Sequence, residues 1–207
     1  MTRAAFYFDG FNLYHGIEEL NRPHLKWLNL YALALRLIPK QTETLVRVVV
    51  CTAIKSDDVG KQLRHRAYLK ALGNVGVDCL LGHFSKEPRE CHSCMNTWMA
   101  PTEKQGDVNL AISIIDDAYR DVFDHCYLVT TDGDQVATIN MLKSRFPAKL
   151  VTTVAPPYRS PNYIISNKAD ARIVLTANHI EACLLPRLVQ GANGAALRPT
   201  EYDPPGT

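Results

Sequence analysis

Apolar positions along the chain fall into two alternating patterns. Short runs with apolar residues at consecutive positions occur at Ala4 to Phe8, Leu45 to Thr52, Val77 to Leu81, Cys126 to Val129, Leu150 to Val154 and Arg172 to Leu175. Consecutive apolar positions, clearest at Val48-Val49-Val50, are expected where helices cover both faces of a strand. Between these runs, Leu30 to Leu37 and Val59 to Leu72 have helical spacing. So does the stretch from about Gly106 to Tyr119, where Val108, Ala111, Ile112, Ile115 and Tyr119 recur at helical intervals and Leu110 and Ile114 widen the stripe. Gln135 to Phe146 reads as a helix closed by Pro147, and Pro161 to Ala169 as a short helix before the last strand. Strand and helix in alternation predict an α/β fold, a three-layer sandwich with a mainly parallel central sheet. From Pro186 onward the composition shifts to Pro, Gly and small polar residues. That shift predicts a domain over residues 1–187 and a disordered or loosely attached tail over 188–207.

Composition narrows the class. At 207 residues and 46% hydrophobic content, the chain is long enough for one well-filled core. Its 23 Lys plus Arg against 21 Asp plus Glu leave a net charge of +2, which excludes the global field of a histone-like binder. Six cysteines look at first like a disulfide set, but the N-terminal apolar run is short and broken by Asp9, so no secretory signal is read there. Reduced cysteines in a cytoplasmic protein fit better. No apolar run approaches the roughly 20 residues that span a bilayer, so no membrane partner is expected.

Candidate chemistry sits where apolar runs end. Asp9 closes the first run, Asp132 and Asp134 follow Cys126 to Val129, and Asp107 opens the long helical stretch. In a parallel α/β sheet, ligands bind beyond the carboxyl ends of the strands, which is where Asp9, Asp132 and Asp134 fall. Asp107 shares a helical stripe with Leu110, Ala111 and Ile114, so its side chain is expected to face the packed side. An inward carboxylate needs a partner. A hydrated Mg²⁺ or Mn²⁺ would serve, and such ions keep positions open for substrate phosphate. Taken singly, each acid has a structural explanation: Asp107 as a helix cap, and Asp132-Gly133-Asp134 as a turn. Three segments sharing one edge shift the balance towards a metal site.

The order and spacing of several motifs then match a known family. Phe8-Asp9-Gly10-Phe11-Asn12-Leu13-Tyr14, Glu103-Lys104-Gln105-Gly106-Asp107-Val108 and Thr130-Thr131-Asp132-Gly133-Asp134 occur in turn, followed by Ala169-Asp170 and Leu184-Leu185-Pro186. Over roughly residues 3 to 187 the chain resembles an NYN domain, a PIN-like nuclease of the LabA-like group (DUF88) with a Rossmann-like topology. The resemblance implies metal-dependent RNA hydrolysis, with Asp9, Asp107, Asp132 and Asp134 as metal ligands and Asn12 orienting water or phosphate. It makes RNA the expected partner and a homodimer a candidate assembly. The alternative of a different class is a non-catalytic RNA-binding or regulatory adaptor on the same fold.

Two further clusters bear on partners. Lys55, Lys61, Arg64, His65, Arg66 and Lys70 face only Asp57 and Asp58, which suits a solvated helix face or a phosphate-backbone track beside the acids; Lys104, three residues before Asp107, could also contact phosphate. Cys91-His92-Ser93-Cys94 is one CxxC pair, with Cys79 and His83 as the nearest co-ligand candidates for a Zn²⁺. A structural zinc needs four ligands, usually two paired clusters, so the default for Cys91 and Cys94 is a surface loop with free thiols. The chain has no GxGxxG after the first strand, no Walker A sequence and no GxSxG elbow, which leaves dinucleotide, nucleoside-triphosphate and serine-hydrolase chemistry without their defining residues.

Overall fold

The computed structural model describes residues 1–54, 58–192 and 194–206. Strands β1 (Thr2–Asp9), β2 (Glu43–Thr52) and β3 (Asp78–Leu81) are followed by a hairpin of β4 (His83–Glu90) and β5 (Thr97–Lys104). Strands β6 (His125–Val129), β7 (Leu150–Ala155) and β8 (Ala171–Val174) complete the main sheet. Its order is β3-β2-β1-β6-β7-β8, and every pairing is parallel. The six expected strands are all present, each at its predicted place.

Both faces of this sheet are buried, which is why its strands read as continuous apolar runs. Ala4 to Phe8 of β1 are all fully buried: Phe6 and Phe8 point to one side, Ala5 and Tyr7 to the other. On the first side lie α1 (Gly10–Glu18), α2 (Leu30–Leu37) and α3 (Val59–Asn74), contributing Leu13, Leu33 and Leu72 around Trp27. On the second lie α4 (Gly106–Tyr119), α5 (Val136–Arg145) and α6 (Tyr163–Ser166), contributing Leu110, Ile114, Ile139, Leu142 and Ile165. Burying one such large side chain stabilises by about 1.5–3 kcal/mol. A last short helix, α7 (Ala177–Glu181), returns to the first side through Ile180. Helices therefore leave the neighbouring strands β1 and β6 for opposite faces, which opens a crevice at their carboxyl ends.

Two segments differ from the expectations. The region around Cys91 and Cys94, expected as a surface loop, is the tip of the antiparallel β4–β5 hairpin, paired in register from His83↔Lys104 to Glu90↔Thr97. The segment after Pro186, expected to be disordered or loosely attached, packs on α3. Its strands β9 (Leu188–Val189) and β10 (Ala196–Leu197) pair antiparallel, and Val189 and Ala196 join the core. Asn74 Nδ2 donates to Val189 O at 3.1 Å and to Gly194 O at 2.9 Å, and Trp27 Nε1 donates to Pro186 O at 2.9 Å. Gly191 permits this approach, since a Cβ there would lie 2.2 Å from the Asn74 side chain. Among the described residues no helix is long and apolar enough to cross a membrane, and all six cysteines are free.

Candidate functional site

The crevice holds a cleft of about 280 Å³ lined by Asp9, Asn12, Glu103, Asp107 and Asp132, with Phe11, Cys51 and Leu110 as its apolar wall and His15 and Arg159 beside them. Strand register and helix capping position the acids. Asp9 ends β1 and caps α1, its Oδ1 accepting from Asn12 N at 2.9 Å. The Thr130 hydroxyl, just beyond β6, donates to Asp9 Oδ2 at 2.8 Å and accepts from Asp132 N at 3.1 Å. Asp132 Oδ1 in turn accepts from Asp134 N at 3.0 Å. Gly10 lets α1 start this close to β2, because a Cβ there would meet Cys51 O at 2.7 Å.

Asp107 enters from the first turn of α4. Gln105 takes a left-handed conformation (φ 76°) just before that helix, and Glu103 Oε1 caps it by accepting from Gly106 N at 2.9 Å. The buried Gln135 ties this turn to α5: its Nε2 donates to Asp107 O at 3.2 Å, and its Oε1 accepts from Thr138 Oγ1 at 2.9 Å. Asp107 does share a stripe with the buried Leu110 and Ile114, but it stands one turn nearer the helix start. It therefore clears the sheet edge and is exposed at the cleft, not turned into the packing.

The electrostatics are those of crowded, unneutralised acids. Loss of solvation raises the Asp9 carboxyl above its ordinary range, against the hydrogen bonds from Asn12 and Thr130, and Asp132 adds to the rise. Asp107 is raised to about 6, first by lost solvation and then by the charges of Asp9, Asp132 and Asp134. Glu103 is raised chiefly by lost solvation, with Asp107 adding. Burial and the same acids push the Cys51 thiol up to about 12, so it stays neutral. Among the described residues none of Asp9, Asp107, Asp132 and Asp134 forms an ion pair. Nor is any group of three His, Cys, Asp or Glu side chains there arranged to hold a metal ion as it stands.

The predicted residues separate into those the fold gathers and those it does not. Asp9, Asn12, Asp107 and Asp132 line one cleft, whereas Asp134 is exposed outside it and acts on Asp107 by its charge alone. Asn12 has a bracing role: its Oδ1 accepts from Thr131 N at 3.0 Å and from Thr131 Oγ1 at 3.1 Å. The expected phosphate track does not adjoin the acids. Lys61 lies 3.9 Å from Asp58, Arg64 pairs with Glu201 at 2.8 Å, Arg66 is exposed, and none of them lines the cleft. Lys104 turns to Glu87 at 2.6 Å, and Lys55 falls outside the described residues. Sequence reasoning missed Glu103, although it stands within a quoted motif, and Arg159, which carries no motif. Arg159 pairs with Glu19 at 2.9 Å, and its buried Nε has no hydrogen-bond partner among the described residues. The hairpin closes over this end of the site, with Phe84 packed edge-on against Phe11 at 5.8 Å.

No family model matches the chain. It is 26% identical over 228 aligned positions to the 6-hydroxy-3-succinoylpyridine 3-monooxygenase of Pseudomonas putida, covering 91% of this chain and 72% of that protein. In structure it is similar to a protein of unknown function from Vibrio parahaemolyticus, with a TM-score of 0.57, 20% identity, and coverage of 89% of this chain and 96% of the other. That likeness carries the α/β fold. The Pseudomonas relative is an enzyme, and the likeness to it spans nearly the whole chain.

Proposed function

We propose that the chain is a divalent-metal-dependent ribonuclease of the NYN, PIN-like kind, hydrolysing RNA phosphodiester bonds in the crevice between β1 and β6. The observation that carries this reading is the cluster of Asp9, Asp107 and Asp132, brought by three separate segments to one cleft with no cation among the described residues bonded to any of them. Hard oxygen donors of uncompensated charge suit Mg²⁺ or Mn²⁺. Mg²⁺ keeps several waters and uses one or two carboxylates together with substrate phosphate, so it does not require the three-ligand set that the described residues do not form. Asp9 and Asp132, linked through Thr130, would hold the ion, with Asp107 facing it across the cleft. When bound, it supplies Lewis acidity towards a phosphoryl oxygen and lowers the pKa of a bound water.

The chain's own groups do the rest. Thr130 fixes the spacing of Asp9 and Asp132. Asn12 keeps its Oδ1 on Thr131 and turns its amide nitrogen to a phosphate oxygen, while Arg159 lines the same cleft from its ion pair with Glu19. Glu103, with its raised carboxyl, takes and returns a proton. The Pseudomonas relative favours a second reading, hydroxylation of a hydroxypyridine against the apolar wall of Phe11, Cys51 and Leu110. Incubation with single-stranded and structured RNA separates the two. Cleavage that needs Mg²⁺ or Mn²⁺ and stops with chelator is the expected result. RNA binding without products would favour the adaptor, and oxygen consumption with a hydroxypyridine and a reductant would favour the hydroxylase; either overturns the nuclease reading.

A further inference from the structure

Cys91 and Cys94 stand apart from the cleft, at the tip of the β4–β5 hairpin. The loop is closed by Cys91 N donating to Asn96 O at 2.9 Å and Met95 N donating to Cys91 O at 2.7 Å. Met95, directly after the second cysteine, takes a left-handed backbone (φ 58°) that completes the tight turn. A CxxC held in so tight a turn supplies half of a tetrahedral sulfur set.

Neither of the nearest co-ligand candidates, Cys79 and His83, supplies the other half. Cys79 sits half-buried in β3, with its Sγ 3.9 Å from Leu69 O and 3.8 Å from Val77 O, and burial pushes its thiol up to about 11. His83 begins β4 and contacts Gln105, while the cysteines follow the other end of that strand, about 24 Å away at the usual strand rise. The tip is also bare of packing. Met95, Trp98 and Met99 are 67%, 52% and 56% exposed, on a two-stranded ribbon of a kind that gains stability from a partner. Along the hairpin Lys86, Arg89 and Lys104 balance Glu87, Glu90 and Glu103, so two such hairpins can meet without net repulsion.

We propose that this hairpin is half of a structural zinc site, and that two copies of the chain join tip to tip around one Zn²⁺ held by Cys91 and Cys94 of each. Ligand count selects the occupant: two thiols per chain, a four-sulfur requirement, and the two-fold pairing usual for homodimers. Each thiol loses its proton to solvent as it ligates. The proposal is independent of the chemistry assigned to the cleft.

The full-length chain, reduced and freed of metal, is titrated with zinc sulfate and followed by native mass spectrometry and tryptophan emission. Trp27 is fully buried, so an emission change reports Trp98. The expected result is one zinc per two chains, a doubled mass and a blue shift as Trp98 leaves water. Cys91→Ser and Cys94→Ser should each lower zinc affinity at least tenfold and abolish the dimer, with the melting temperature of the metal-free protein unchanged. Trp98→Ala should weaken the zinc-loaded dimer while the chain still folds. One zinc per monomer, no zinc uptake by the reduced protein, or a dimer that persists in chelator would each overturn the proposal.

Discussion

Glu43 and Asp9 stand at opposite ends of neighbouring strands and keep opposite electrostatic company. Glu43 opens β2 in the buried interior, accepting from His125 Nδ1 at 2.8 Å and from the Tyr127 hydroxyl at 2.9 Å, while His125 Nε2 meets Thr152 Oγ1 at 2.8 Å. Around it, Arg3 bonds Asp124 and Asp121, Lys149 bonds Asp121 at 2.7 Å, and Lys143 pairs with Asp170. Asp9 closes β1 with two neutral hydrogen-bond donors and the charges of other acids. Buried polar groups are costly unless matched. The amino ends of the strands meet that demand with protein partners, and the carboxyl ends leave it to whatever the cleft binds. The same sheet thus has an end whose charges are matched by protein partners and an end whose acids crowd together.

Mutations should break this contrast in opposite directions. The largest effect is expected from Asp132→Asn, which keeps an acceptor for Asp134 N but removes a charge from the cleft. Metal-dependent RNA cleavage should fall about 1000-fold, ~4 kcal/mol in the barrier, with urea unfolding nearly unchanged. A normal initial rate would remove Asp132 from the site. Next comes Glu43→Ala, which strands the donors of His125 and Tyr127. It should cost about 3 kcal/mol in urea unfolding while leaving cleavage per folded molecule intact. Parental stability would show that the amino end is not matched as described.

The smallest effect concerns Asp107 and pH. Its carboxyl is raised from an ordinary 3.8 to about 6, so the folded chain holds that proton more tightly than the unfolded one. Its contribution is therefore fully present below about pH 4 and lost as pH rises through about 6. Asp107 is exposed, so solvent screening limits the change to about 1 kcal/mol or less. Asp107→Asn should flatten this part of the stability profile, read from melts between about pH 4 and 7 in chelator. A variant profile parallel to the parent's would count against the crowding of charges.

The main sheet was legible because six strands buried on both faces leave unbroken apolar runs. The hairpin was not, because β4 and β5 are mixed in polarity, carry Pro88 and Pro101, and pack lightly, so neither periodicity stands out. Asp9, Asp107 and Asp132 could be placed at one edge from chain order alone. Helical spacing ranks the faces of α4 but says nothing of how far its first turn projects, so the outward turn of Asp107 was hidden. Glu103 looked like part of a motif, and only its bond to Gly106 N fixes it at the cleft. The C-terminal segment has a composition common in disordered chains, but Gly191 and Asn74 interlock through contacts that composition does not encode.

The Thr130 hydroxyl bonds both Asp9 and the backbone of Asp132. The placement of those acids is consequently set by how β6 is stacked beside β1, paired from Ala4↔His125 to Phe8↔Val129, and by the short turn from Thr130 to Asp132 that follows it. Insertions in loops other than the turn after β6, or exchange of the whole hairpin, should leave that placement untouched. A lineage carrying this fold could remodel the rim to take new substrates while its central pair of carboxylates kept a fixed gauge.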